Sequence, residues 1–124
     1  MANHVSTMVI DVRLYNDIMN YMAYLRRVYD QDYTFSSIGR EILNEGLECK
    51  FSKVSQDIEE GKGVVNPRYK KSKNVAIVIE GGMYELIKEL KKHCFPKSSI
   101  AIILRVLLEN GIEKLKKEEG IKEW

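Results

Sequence analysis

The segment Ile42-Leu43-Asn44-Glu45-Gly46-Leu47-Glu48 returns 65 residues later as Leu107-Leu108-Glu109-Asn110-Gly111-Ile112-Glu113, and this near copy decides the reading of the fold. Working outward from it, the same shift lays residues 8–50 on 73–115 without a gap. Ile10, Val12 and Leu14 meet Val75, Ile77 and Ile79. Ile18, Met22 and Leu25 meet Met83, Ile87 and Leu90. Thr34 meets Ser99, Ile38 meets Ile103, Arg40 meets Arg105 and Leu43 meets Leu108. Only 6 of the 43 aligned positions are identical, so identity carries little, and agreement of the apolar spacing through three segments carries more.

Each copy reads as strand, helix, helix. Met8, Ile10, Val12 and Leu14 alternate with Thr7, Val9, Asp11 and Arg13, the period of a half-buried strand. Val75, Ile77 and Ile79 alternate in the same way with Asn74, Ala76, Val78 and Glu80. A first helix is expected from about Asn16 to Tyr29 and, in the second copy, from about Gly82 to Cys94. Its stripe there is Met83, Leu86, Ile87, Leu90 and Cys94. The second helices start at capping residues, Thr34 in one copy and Ser98 or Ser99 in the other. They run to about Cys49 and Lys117. The chain therefore divides into a first motif (7–50), a polar linker (51–73), helical at its start in one reading, and a second motif (74–118).

A unit of about 45 residues is too small to bury a sufficient core, and a single strand leaves its backbone groups unpaired. Two strands pairing antiparallel, within one chain or between two, with helices over the apolar face, remove both difficulties. The expected class is mostly α with a short β ribbon (α+β), two strand–helix–helix motifs in one chain.

Strand, helix, capped turn and helix at this spacing resemble the ribbon-helix-helix DNA-binding proteins. The carrying residues are Ile10-Asp11-Val12-Arg13-Leu14 before the first helix and Thr34-Phe35-Ser36-Ser37-Ile38-Gly39-Arg40-Glu41-Ile42 at the second. Ser99-Ile100-Ala101-Ile102-Ile103-Leu104-Arg105-Val106-Leu107 is a weaker match, and both copies depart from the pattern at Ile42 and Leu107, where a small alanine is usual. The tandem layout looks like transcription regulators of archaeal viruses. The resemblance implies two ribbon-helix-helix motifs and a ribbon that enters the major groove of double-stranded DNA. It implies base contacts from Val9, Asp11 and Arg13 in one copy and from Asn74, Ala76 and Val78 in the other. Arg13 suits guanine, Asp11 a cytosine amino group and Asn74 adenine, while the apolar three pack on thymine methyls.

Phosphate contacts are expected where the second helices begin, at Thr34, Ser36 and Ser37 and at Lys97, Ser98 and Ser99, since free amides and the helix dipole favour an anion. Arg68, Lys70, Lys71 and Lys73 lead into the second strand as a further backbone clamp. Arg40 and Arg105 are expected to make internal bonds. The net charge of +2 hides a split: residues 1–66 hold 7 basic and 10 acidic side chains, residues 67–124 hold 13 and 8.

Other function classes find little support. Cys49 and Cys94 form no disulfide framework, His4 and His93 have no metal-ligand spacing, and no phosphate-binding glycine loop or nucleophile elbow is present. The expectation is a non-enzymatic protein without cofactor, cytoplasmic (in the host cytoplasm if viral), away from membranes, acting as a homodimer or cooperative oligomer on DNA. The rival readings are an antitoxin-like protein-interaction module and a non-specific DNA-coating protein.

Overall fold

Two strands, β1 (His4–Asp11) and β2 (Ser72–Ile79), pair antiparallel in the computed structural model, which describes residues 3–66 and 71–119. Between them run α1 (Val12–Tyr29), α2 (Phe35–Leu47) and α3 (Phe51–Glu59); α4 (Gly81–His93) and α5 (Ile100–Glu118) follow β2. The described residues thus form an α+β fold with five helices and a single two-stranded sheet. This corrects the expectation of two ribbon-helix-helix motifs. Each half supplies one strand, and two strands make one ribbon, so the halves share it. A fifth helix, α3, occupies the start of the segment read as linker.

The register sets Met8 against Val75 and Ser6 against Ile77 on one face, and Val5 against Val78, Thr7 against Ala76 and Val9 against Asn74 on the other. Met8, Ile10, Val75, Ile77 and Ile79 are buried under the helices. Each such side chain contributes roughly 2 kcal/mol by leaving water.

Helix α1 begins four residues before the expected Asn16. Asp11 ends the strand and caps the helix: the Arg13 N–H donates to Asp11 Oδ1 at 2.6 Å. Leu14 lies two residues from Val12, which suggested a strand, but it also lies four before Ile18. The helical interval prevails, and Leu14, Ile18, Tyr21, Met22 and Leu25 form the buried stripe. On α4 the expected stripe is narrower than drawn: Ile87 is buried, whereas Leu86 and Cys94 are exposed.

The core of the molecule is the crossing of α2 and α5. A Cβ on Gly46 would collide with the backbone carbonyl of Leu107, and one on Gly111 with that of Ile42. Gly46 and Gly111 are repeat mates, and so are Ile42 and Leu107. The same close approach is therefore built twice around an approximate dyad. Ile38, Ile42 and Leu43 from α2 and Ile103, Leu107 and Leu108 from α5 are all buried there.

Helix α3 is pinned to α5 by a buried polar cluster. Asn110 Nδ2 donates to Asp57 Oδ2 at 3.0 Å and to the Val106 carbonyl at 2.9 Å. Lys53 Nζ and Lys62 Nζ lie 2.7 and 3.2 Å from the same carboxylate. Burial pushes the Asp57 carboxyl up, but the hydrogen bonds from Lys53, Asn110 and Lys62 outweigh it and hold the group below its usual range.

Candidate nucleic-acid interface

The ribbon obeys a different repeat shift from the helices. Val9-Ile10-Asp11 is followed by Leu14-Tyr15 and Ile18; Val78-Ile79-Glu80 is followed by Met83-Tyr84 and Ile87 at the same intervals, a shift of 69. This shift exchanges β1 with β2 and the start of α1 with the start of α4. By α2 and α5 the shift is 65 again. The slack is taken up inside the first helices, of 18 residues in α1 and 13 in α4.

Side chains anchor both edges of the ribbon accordingly. Arg105 Nε donates to the Val9 carbonyl at 2.7 Å, and Arg40 Nη1 donates to the Val78 carbonyl at 3.3 Å. Val9 and Val78 are mates at the strand shift, Arg40 and Arg105 at the helix shift, so the two bonds are one contact made twice. Both arginines thus make the internal bonds expected of them. Arg105 goes further, with Nη1 donating to the Gly63 carbonyl at 3.0 Å. Burial lowers the Arg105 pKa. The tyrosines repeat as well. Lys73 Nζ stands 5.7 Å from the Tyr15 ring centroid, and its mate His4 stacks on Tyr84 at 3.8 Å.

The outward face consists of the pairs Val5–Val78, Thr7–Ala76 and Val9–Asn74, with Asp11–Ser72 at one end. Val5, Thr7, Asn74 and Ala76 are exposed; Val9 and Val78 are half-buried. Asn74, Ala76, Val78 and Val9 thus lie together on the face that the sequence assigned to them. Arg13 does not: it is exposed on the first turn of α1, because the strand has already ended. Asp11 caps that helix from the ribbon's end. Val5 and Thr7 take the two vacated places, as mates of Asn74 and Ala76. They were missed because the gap-free shift of 65 was carried through the strands; the Val-Ile-acidic and Tyr pattern was the signal for 69.

The second-helix starts are occupied by their own caps. Ser37 N–H donates to Thr34 Oγ1 and Ser37 Oγ to the Thr34 carbonyl, both at 3.0 Å. Ser36 Oγ accepts the Val78 N–H at 2.6 Å, which brings the start of α2 against β2. In α5 the Ile102 N–H donates to Ser99 Oγ at 3.2 Å, and the Ser98 N–H donates to the Phe95 carbonyl at 3.0 Å. Lys97 is exposed. Ile100 and Ala101 line a hollow with His4, Val5 and Thr7, so the start of α5 flanks the ribbon's other edge, β1. Lys71 and Lys73 are exposed, and the Lys71 carbonyl accepts the Val12 N–H at 3.0 Å. Arg68 and Lys70 lie outside the described residues.

Among the described residues no group of three or more His, Cys, Asp or Glu side chains is placed to hold a metal ion, and both cysteines are free thiols. No helix among them is long and apolar enough to cross a membrane. Compared with known proteins, the chain matches no family model, no curated protein and no solved structure.

Proposed function

We propose that this chain is a sequence-specific regulator that binds double-stranded DNA by laying its ribbon in the major groove. One observation carries the reading: the ribbon's inner face is core, while Val5, Thr7, Asn74 and Ala76 on its outer face are exposed. A two-stranded ribbon has the width the major groove admits. The starts of α2 and α5 flank the ribbon's two edges, β2 and β1, where their first-turn amides favour phosphate. Lys71 just before β2 and Lys73 within it add positive charge. The regulator occupies a promoter or recruits further copies, as a homodimer or cooperative assembly, in the cytoplasm.

The valine and alanine content of the face favours one rival, a protein-interaction module. Fluorescence anisotropy separates the readings, with wild type and Asn74→Ala titrated against a selected site and a random duplex over a range of salt. Asn74→Ala is expected to weaken the selected site about tenfold and the random duplex hardly at all, with affinity falling steeply as salt rises. Equal affinity of wild type for both duplexes points to a coating protein. Failure to bind either leaves the protein-interaction reading.

A further inference from the structure

We infer that the DNA site of this ribbon is not a palindrome, although the chain is built on an approximate dyad. The inference rests on the DNA-binding reading above and narrows its ligand. The strand shift of 69 leaves the Thr7–Ala76 pair facing itself, so the dyad passes there. It makes Val5 the mate of Asn74 and Val9 the mate of Val78. A symmetric reader presents the same group at Val5 and at Asn74, and this one does not.

One end of the outward face is therefore the Val5–Val78 pair, two branched alkyl groups with no hydrogen-bonding atom, and Val5 is 58% exposed. The other end is the Val9–Asn74 pair, followed by Asp11–Ser72. The positive charge is uneven in the same direction. Lys71 and Lys73 stand at the Asn74 end, while the mate of Lys73 at the valine end is His4, stacked on Tyr84.

Against the major-groove edge of a G·C pair, two valines cover donors and acceptors and return no hydrogen bond. Against thymine they pack on the C5 methyl. Asn74 carries both a donor and an acceptor, the pair that adenine N7 and N6 require. Successive outward pairs are about 6.7 Å apart, roughly two base-pair steps. The two ends thus read different base pairs within one short site: methyl-rich A·T pairs under Val5 and Val78, and an adenine under Asn74.

The test is selection from a randomised duplex pool with the full chain, as wild type, Val5→Asn and Asn74→Val. Both substitutions lie at exposed positions and make the two ends alike. Wild type is expected to enrich a motif that differs from its own reverse complement. It should bind that site about tenfold more tightly than either duplex built by mirroring one half. Val5→Asn should enrich a palindrome with adenine at both ends, and Asn74→Val a palindrome of the methyl type. A palindrome selected by wild type overturns the inference and leaves DNA binding standing. An unchanged asymmetric motif from both variants overturns the assignment of the asymmetry to Val5 and Asn74, because it then lies elsewhere than in the ribbon. No enrichment by a folded wild type overturns the inference together with the DNA-binding reading.

Discussion

The crossing of α2 with α5 and the outward face of the ribbon stand on one approximate dyad, yet the first keeps the symmetry and the second discards it. At the crossing, Gly46 meets Leu107 as Gly111 meets Ile42, and Ile38, Leu43, Ile103 and Leu108 repeat in type as well as place. On the ribbon, Val5 stands opposite in symmetry to Asn74 and Thr7 to Ala76. Close-packed interiors penalise a change of even one methylene, so two helices that touch across a dyad constrain each other's residues. On the ribbon's outward face Val5, Thr7, Asn74 and Ala76 are exposed among the described residues, so packing there leaves these side chains free to diverge. The divergence therefore falls where packing does not constrain it.

The sharpest way to break this comparison is to add one carbon at the crossing. Gly46→Ala and Gly111→Ala each place a Cβ against a backbone carbonyl that no side-chain rotation can move. Each is expected to cost about 3 kcal/mol, the upper end of ordinary overpacking, and the two costs should agree closely. Urea unfolding of both variants and of the double variant measures it. A cost near zero for either, or a large difference between them, ends the claim that the crossing is symmetric. The double variant should cost less than the sum, because once the helices have separated the second carbon meets less resistance.

A smaller effect is expected where the halves differ inside the core. Asp57 belongs to α3, which has no counterpart in the second half among the described residues, and it ties α3 to α5 through Asn110, Lys53 and Lys62. Asp57→Asn is expected to cost about 2 kcal/mol at neutral pH, since it removes charge-assisted bonds in a buried setting. The folded carboxyl lies below its unfolded value near 3.9, so its contribution is fully present above that value. It is lost as pH falls through the depressed folded value. The stability gap between wild type and Asp57→Asn should therefore be constant above about pH 5 and close under stronger acid. Denaturant titrations across pH measure the gap, and a gap that widens as pH falls reverses the assignment.

These elements differ in how far they could be read from the residues alone. The near copies around Gly46 and Gly111, the caps Thr34 and Ser99, and the helices they start were legible, because burial imposes periodicity and capping imposes residue type. The strand register was not. An extra turn of about four residues in α1 turns a helix by little more than a full circle, so the buried stripe continues undisturbed and the change of shift is silent. Its consequence fell on the exposed face: Arg13 was placed on the strand, Val5 was left off it, and Thr7, though read as strand, was not named among the base contacts. Helix α3 was legible only in one reading, as a helical start to the linker, for a different reason. Its residues are polar enough to read as linker, and what docks them is one buried apolar side chain, Val54, with the pairing of Asp57 with Asn110, contacts between distant residues with no local pattern.

The finest test concerns the arginines, where the dyad is kept in kind but not in degree. Arg40 makes one bond to the ribbon at 3.3 Å; Arg105 makes one at 2.7 Å and a second to Gly63 at 3.0 Å. Truncation removes a charged donor in each case and leaves a ribbon carbonyl without that partner. About 1 kcal/mol is expected for Arg40→Ala and about 2 kcal/mol for Arg105→Ala, from one and two such bonds. Hydrogen exchange gives the readout that separates them. Arg40→Ala should loosen the edge of β2 alone. Arg105→Ala should loosen β1 together with the segment around Gly63, because one guanidinium holds both. Equal stability losses with exchange confined to the ribbon in both variants would mean that the second bond contributes nothing. The first bonds alone would then describe how the helices hold the strands.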